Sequence, residues 1–450
     1  MKVDILGAGP CGLGALKRLH ERGGASQLFE SRPYVGGLST SLVDDVGFTW
    51  DVGGHVLFSH YDYFDQVVED ALGGKYYSHQ RECWVRLLEC WVPYPFQNNV
   101  RHLPANARNE CIEGLRNLRG DPGSARNFQE WMNAVFGAGI VRYFMEPYNF
   151  KVWATPSGMM SKDWIAERVS VVDLQRVEDN IREQKDDVAW GPNNLFKFPE
   201  TGGTGAIFRG IAKHFSDKIH LNHELVSINL KKREMVFSNG VTREYEQLIS
   251  TMPVDQLLAK ASDVPTDVRL AAELLLHNSV YVVGIGVRGR REDNRCWMYF
   301  PENNCPFYRV TNFHNYSPHN VPGGDVNRCF SLMCEISYSP FKVVDEASIV
   351  EETIQGLVNS GLLDERERGQ IISRFLLDVP YAYPIPSTQR DEALAVILPF
   401  LEGHGVYSRG RFGAWKYEVG NMDHSFMQGV EVVDRLVSGT AEKTVLGDNG

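Results

Sequence analysis

The sequence predicts an α/β protein with a discontinuous parallel-sheet domain, a helical insert and an antiparallel β-sheet domain. Three observations predict it. The chain opens with a strand-like run, a glycine turn and an amphipathic helix. A strand-like segment at 248–253 and a helical stripe after 421 then return to that first unit. Between these pieces lie one stretch rich in helix formers and another rich in β-prone residues.

Residues 2–6 form the first strand, followed by Gly7-Ala8-Gly9-Pro10-Cys11-Gly12-Leu13-Gly14. The helix carries Ala15, Leu16 and Leu19 on one side and Lys17, Arg18, Glu21 and Arg22 on the other. Gly7, Gly9 and Gly12 permit a tight turn and let main chain approach a pyrophosphate at the helix N-terminus. Gln27-Leu28-Phe29 is a second strand ending at Glu30. An acid about 20 residues beyond the glycines is where a carboxylate takes the adenosine ribose. The glycine spacing alone is weak evidence, but strand, glycines, helix and terminal acid here stand in register. Gly36-Gly37-Leu38 follows the acidic strand end, as in FAD-binding enzymes of the amine-oxidase type and unlike simple NAD dehydrogenases. Gly53-Gly54-His55, after Trp50-Asp51-Val52, gives a second place where backbone passes close to a flat ligand. The first unit is therefore read as a FAD-binding Rossmann-like domain, with Gly7, Gly9, Gly12, Glu30, Gly37, Leu38, Gly54 and His55 on the cofactor.

Downstream, 226–230 and 234–237 read as a β-hairpin, and 248–253 as a strand rejoining the first sheet. Phe426, Val430, Val433 and Val437 recur at helical spacing and are read as core. The turn before them, Tyr417 to Asn421, offers backbone amides to the cofactor. Helix-forming blocks at 107–117 and 128–136 define the insert, and segments such as 280–287 define the antiparallel sheet. The expected division is 1–78, 204–276 and 386–450 for the FAD-binding domain. The helical insert takes 99–189, and the sheet takes 79–98, 190–203 and 277–385.

Composition narrows the function classes. The chain has 450 residues, 46 basic and 57 acidic, for a formal charge of -11. That is no electrostatic footprint for nucleic acid or an anionic membrane. No apolar run reaches the roughly 18 residues of a membrane span. Nothing resembling a signal peptide precedes the first strand, so a cytoplasmic protein is expected. Eight cysteines lie scattered without CxxC pairs, which points to reduced thiols and to neither a metal site nor a disulfide frame.

Several segments carry more aromatic and polar side chains than packing requires: Trp91 to Asn99, Pro147 to Trp153, Glu167-Arg168-Val169, Trp190 to Asn193, Trp297 to Phe300, Phe307-Tyr308-Arg309, Tyr383-Pro384 and Arg409 to Gly413. The prolines around Tyr94 and Phe96 fix an extended path that holds both rings out stiffly. Taken singly, an arginine is more often an ion-pair residue and a tyrosine more often core. Spacing alone does not choose among them.

From the glycine turn to about residue 438, the chain resembles the UDP-galactopyranose mutases, specifically their eukaryotic-type branch. The resemblance rests on Asp51 to His60, Trp91 to Asn99, Pro147 to Ala154, Cys296 to Arg309, and Ser408 to Met427, in that order along the chain. It implies interconversion of UDP-galactopyranose and UDP-galactofuranose through a covalent adduct of the sugar with N5 of reduced FAD, without net redox change. It places Arg168 and Arg309 on the diphosphate, where guanidinium forks suit phosphate oxygens. Tyr299, Tyr383 and Tyr417 fall on diphosphate-reaching hydroxyls. Phe96 and Gln97 fall on uracil contacts, with Tyr94 beside them. Asn149 and Trp153 match nucleotide-side positions, and Asn193 a turn near the sugar and pyrophosphate. Arg411 is placed near flavin and sugar, Asn421 at the neighbouring cofactor loop, and His55 where it tunes the flavin. His60 is attached less firmly to a segment that responds to flavin reduction.

Two departures follow. Where some relatives have Arg and Ser two apart for NADPH, this chain reads Arg81-Glu82-Cys83, which leaves NAD(P)H open as the reductant. Part of the 313–330 region is shorter than in fungal members, which favours a monomer or dimer over their tetramer. Other readings are a flavin oxidoreductase of the amine-oxidase type, a mutase for another UDP-sugar such as UDP-arabinose, and a silent nucleotide-sugar binder.

Overall fold

The computed structural model describes residues 2–165, 169–188 and 194–445. At its centre is a five-stranded sheet in the order Val406–Ser408, Gln247–Ser250, Lys2–Leu6, Ala25–Phe29, Ile219–His220. Every pairing in it is parallel. The sheet thus draws strands from three distant parts of the chain, which is why the domain is discontinuous. The strands are short and apolar on both faces, as a sheet covered by helices requires.

The helices Pro10–Glu21 and Met422–Ser438 pack against one another beside this sheet. Glycine sets their separation: a Cβ on Gly14 would land on the carbonyl oxygen of Phe426, and one on Gly429 on that of Cys11. Phe426, Val430 and Val433 are buried in the same cluster as Leu13, Leu16 and Leu19. Val437 is not: it is 45% exposed. It lies in the last turn of the helix, two residues before the left-handed Gly439 that ends it, so the spacing continues after the packing has stopped.

The hairpin Leu225–Asn229 with Glu234–Phe237 forms as read, inside a separate four-stranded sheet with Thr242–Glu244 and Ala261–Ser262. The larger sheet has seven strands, in the order Ile371–Pro384, His277–Arg288, Cys329–Tyr338, Arg309–Asn312, Trp297–Tyr299, Cys83–Leu87, Cys90–Pro93. It is antiparallel except at one join, where Trp297–Tyr299 runs parallel to Cys83–Leu87. The exception arises because the hairpin 83–93 comes from an earlier part of the chain and adds to the sheet as a unit. Tyr76–Gln80 and Leu195–Pro199 pair as a ribbon of their own rather than joining this sheet.

The helices Ala105–Arg116, Phe128–Ile140, Glu146–Trp153 and Leu174–Glu183 surround a third core built on Phe96, Phe128, Met132, Phe136 and Phe144. No helix among the described residues is long and apolar enough to cross a membrane. Among the described residues all eight cysteines are free, six of them buried, with Cys90 and Cys329 partly exposed.

Candidate active site

The nucleotide end is made mostly of main chain. Gly9 caps the helix Pro10–Glu21 without a side-chain bond, so the first-turn amides keep their donors for an anion. Gly7 has a φ of +98°, and a Cβ on Gly12 would collide with its carbonyl oxygen, so the turn closes only with glycine at both places. Gly36 N–H donates to Ala8 O at 2.8 Å, laying the second glycine pair over the first. A Cβ on Gly37 would stand 3.1 Å from Gly9 Cα. Buried Glu30 accepts from Ala8 N–H at 2.7 Å and from Arg32 N–H at 2.9 Å, locking the strand end to the turn. Leu38 packs at the edge of two cores.

A second uncapped helix start lies at Met422–Ser438, whose N-cap is Asn421. Gln428, which the sequence reading missed, fixes the two loops beside it: its Oε1 accepts from Gly410 N–H at 2.7 Å, and its Nε2 donates to Val419 O at 2.8 Å. The two open helix starts, the glycine cradle and the buried acid fit a dinucleotide such as FAD, which has a pyrophosphate for the first and a ribose for the last.

The other end is a network of side chains centred on Glu335, which the sequence reading also missed. Glu335 is 2% exposed in the middle of Cys329–Tyr338. Its Oε1 accepts from Arg309 Nε at 2.6 Å and from Gly54 N–H at 3.1 Å. Its Oε2 accepts from Arg309 Nη2 at 2.7 Å and Tyr308 Oη at 2.8 Å. Burial pushes this carboxyl up, but Arg309, Tyr308 and the Gly54 amide outweigh it and hold it below the usual carboxylate range. The one signal in sequence was a single charge within an otherwise apolar strand, CFSLMCEISY.

Tyr308 Oη lies 3.3 Å from Tyr383 Oη, which carries the network toward the helical insert. Tyr383, Tyr417 and Trp153 form a ring cluster, with centroids 4.7 Å apart for Trp153–Tyr417, 5.8 Å for Trp153–Tyr383 and 5.9 Å for Tyr383–Tyr417. The guanidinium of Arg411 lies 4.9 Å from the Tyr383 ring and 5.6 Å from that of Tyr417. It donates to Ala382 O at 3.1 Å and Gly420 O at 3.0 Å. Two further residues that sequence did not single out align these groups. Asn278 bonds Val152 O, Trp153 O and Tyr383 N–H. Arg390 grips Glu418 with two bonds of 2.8 and 2.9 Å, next to Tyr417.

A third group continues outward: Tyr299 lies 5.2 Å from both Tyr94 and Tyr148, and Tyr148 stacks on Phe144 at 5.0 Å. Burial raises the phenols of Tyr94, Tyr299 and Tyr383, so each keeps its proton and acts as a donor. Asn149 Oδ1 accepts from Trp153 Nε1 at 3.3 Å, one helical turn away.

Phe96 corrects the expectation drawn from its prolines. Its ring is not held out but fully buried, stacked on Phe144 at 4.7 Å. The short turn Phe96–Asn98 folds it into the insert's core, where an aromatic ring is worth more buried than exposed. Gln97 beside it is 2% exposed; its Nε2 donates to Ser170 O, and its Oε1 is buried without a partner. A buried orphan amide oxygen is costly and is the mark of a site that a donor completes. Arg168 and Asn193 lie outside the described residues.

His55 is positioned by its own turn: Nδ1 lies 3.1 Å from Gly53 O. A carbonyl only accepts, so Nδ1 carries the proton and Nε2 the lone pair. Burial, with Arg411 and Arg309 nearby, lowers this imidazole to about 4 against the opposing pull of Glu335. The ring is therefore neutral at pH 7.

Comparison with known proteins agrees with this geometry. A family model of flavin-containing amine oxidoreductases matches residues 10–393. A crystal structure of reduced UDP-galactopyranose mutase superposes with a TM-score of 0.95 at 43% identity, over 99% of this chain and 96% of that one. The chain belongs to the flavin-containing amine oxidoreductases and, within them, to the UDP-galactopyranose mutases. A putrescine oxidase with putrescine bound has a TM-score of 0.66 at 15% identity, over 97% of this chain and 99% of its own, and shares the fold alone. Among curated proteins, 4,4'-diapophytoene desaturase of Staphylococcus aureus (strain COL) is 24% identical over 289 residues, 56% of this chain. The chain spans about half the length, 55%, of such curated relatives. In this chain arginines and phenols gather around Glu335 and the Gly54 turn.

Proposed function

We propose that the protein is a UDP-galactopyranose mutase of the eukaryotic-type branch, interconverting UDP-galactopyranose and UDP-galactofuranose without net redox change. The supporting observation is the hydrogen-bonded network that joins Arg309, Glu335, Tyr308 and Tyr383 to the Gly54 turn. Gly7, Gly9, Gly12, Glu30, Gly37, Gly54 and Asn421 would hold FAD, which when reduced supplies the nucleophile for the anomeric carbon.

The chain's own residues position the substrate and carry its charge. Glu335 engages Nε and Nη2 of Arg309, so Nη1 is the nitrogen left to meet a diphosphate oxygen. The Arg309–Glu335 pair is neutral as a unit. The cationic charge that balances a departing diphosphate therefore comes mainly from Arg411 and Arg168. Protonated Tyr299 and Tyr383 add donors without adding charge, and the Tyr417 hydroxyl reaches the same diphosphate. Gln97 takes the uracil with its orphan carbonyl, Tyr94 flanks it, and Asn149 and Trp153 line the nucleotide side. Phe96 supports this wall from within the core instead of stacking on the base. Neutral His55 holds a hydrogen bond at Nε2 beside the cofactor. NAD(P)H as reductant would approach Arg81, whose guanidinium lies 6.0 Å from the Tyr94 ring.

The test is direct. The FAD-loaded protein is incubated anaerobically with UDP-galactofuranose, with and without dithionite, and the products are resolved by chromatography. Pyranose formed only after reduction supports the mutase. Oxygen consumption with an amine and no isomerisation would sink it. UDP-arabinose in the same assay decides between the two sugars.

A further inference from the structure

Outside the arginine–tyrosine network, His60, Asp423 and His424 come together as a group of potential metal ligands among the described residues. His60 ends the loop that leaves Gly53-Gly54-His55, while Asp423 and His424 occupy the first turn of Met422–Ser438. Asp423 Oδ2 accepts from His60 N–H at 3.1 Å and lies 2.7 Å from His60 Nδ1. The other oxygen, Oδ1, lies 3.2 Å from His424 Nδ1. Each carboxylate oxygen thus faces one imidazole nitrogen. The two rings are 4.8 Å apart between centroids.

A hydrogen-bonded clasp between loop and helix accounts for His60 and Asp423. It does not account for His424. Its Nδ1 is buried and faces the other carboxylate oxygen at 3.2 Å, so one buried carboxylate is shared by two imidazoles. Two ring nitrogens set on the two oxygens of a single buried carboxylate form a mixed nitrogen–oxygen donor set that one cation can share. The side chains are graded in exposure, at 1% for Asp423, 13% for His424 and 30% for His60, so one edge of the cluster stays open to solvent.

We propose that His60, Asp423 and His424 bind one divalent transition-metal ion of the Zn2+ class, with water completing its coordination. Two imidazoles and one carboxylate are the donors such ions select, whereas Mg2+ and Ca2+ prefer all-oxygen sites. Bonds of about 2.0–2.2 Å in a tetrahedron place donor atoms roughly 3.3 Å apart. His60 Nδ1 lies 2.7 Å from Oδ2 and His424 Nδ1 3.2 Å from Oδ1, and one donor atom from each of the three residues lies within 4.8 Å of the other two, so the set must draw in around a single oxygen. A small rotation of the exposed His60 ring closes the set. The bound ion would tie the loop following His55 to the helix start at Asn421, and so link two segments that border the cofactor. The surrounding groups are compatible: Tyr61 meets the His424 ring edge-on at 5.6 Å, and Glu431 is occupied by Thr444 and the amide of Lys443.

The experiment uses the FAD-loaded protein after treatment with EDTA. Co2+ is titrated in as a spectroscopic probe, and Zn2+ is then added to displace it. One Co2+ per chain is expected, with the visible ligand-field absorption of a low-coordinate site that Zn2+ abolishes. His424→Gln and His60→Gln should each weaken binding at least about tenfold, the smaller end of what losing even an outer-shell partner costs a metal site. The double variant should bind none. Flavin absorption should stay at parental values in both histidine variants; His60→Gln, which also loses its bond to Asp423, should melt somewhat lower in EDTA while retaining its flavin, which keeps a folding defect distinguishable. No stoichiometric Co2+ uptake by the parent, or equal affinity in parent and double variant, would overturn the proposal.

Discussion

The two ends of the candidate site are built by opposite means. At the nucleotide end, neighbours in sequence are neighbours in space: Ala8 and Glu30 are 22 positions apart, and Gly36 reaches back to Ala8. Main-chain amides and missing side chains carry the work. At the reaction end, the contacts span the chain: Gly54 to Glu335 is 281 positions, Asn278 to Trp153 is 125, and Tyr308 to Tyr383 is 75. There side chains carry the network, and each is held by groups from a remote part of the chain, on another strand of the large sheet or on the helical insert. An end made of local backbone serves any enzyme that needs a dinucleotide. An end made of long-range side-chain contacts belongs to one chemistry.

Two substitutions test that division, and Glu335→Ala should have the largest effect. It leaves the Arg309 guanidinium in a mostly buried position without its carboxylate, and breaking such pairs costs about 3–5 kcal/mol. Because Arg309 keeps some solvent exposure, a value near the lower end is expected in urea unfolding. Turnover should fall with it, while the remaining folded protein keeps its flavin. Glu30→Ala should do the reverse. Hydrogen bonds to a charged group are worth about 1.5–3 kcal/mol, so FAD affinity should drop roughly 10–100-fold. Saturating FAD should then restore turnover. If Glu335→Ala released flavin first, or excess FAD failed to rescue Glu30→Ala, the two ends would not be separable.

Tyr383→Phe is a smaller probe of the same contrast. It removes one hydroxyl beside Tyr308 and keeps the ring against Trp153 and Arg411. The loss of one neutral hydrogen bond is worth about 1 kcal/mol, so turnover should fall about fivefold with the flavin spectrum unchanged. A loss as large as that of Glu335→Ala would mean that the hydroxyl holds the network together instead of serving the substrate.

The same contrast explains what could be read in the sequence. Gly7 to Glu30 was legible because strand, turn, helix and acid follow one another within a single supersecondary unit. The hairpin at 225–237 and the strand at 247–250 were legible through their alternation of side chains. Glu335, Asn278 and Gln428 were not. Nothing in their local pattern marks them out, and only the folded chain shows that their partners are Arg309, Tyr383 and Gly410. Phe96 shows the limit from the other side: its prolines predict an extended path, whereas the chain turns at Phe96–Asn98 and the direction of the ring is decided by its packing on Phe144, 48 positions later. The stripe ending at Val437 fails for a similar reason, since periodicity continues to the helix end whether or not there is core beneath it. His55 was legible as the residue that follows the Gly53-Gly54 turn, yet its protonation state depends on Arg309, Glu335 and Arg411, all remote in sequence.

That protonation state gives the last and mildest prediction. Burial first, and then two nearby guanidinium groups, move His55 from an ordinary value of 6.5 to about 4, while Glu335 pulls the other way. In the window between those values the unfolded chain takes up a proton that the folded chain refuses. Stability should therefore be insensitive to this residue above pH 6.5 and should decline as the pH falls from 6.5 toward 4. His55→Gln, which cannot take up that proton, should show a shallower decline across the window and no difference above it. Urea unfolding of both proteins at pH 5 and pH 8 measures this, and an NMR titration of the ring nitrogens should find Nδ1 protonated and Nε2 bare down to about pH 5. An imidazolium at pH 6 would mean that Glu335, not burial, governs the site. The Gly54 turn would then carry a positive charge beside the cofactor, and the division between a backbone end and a charged side-chain end would have to be drawn on the other side of His55.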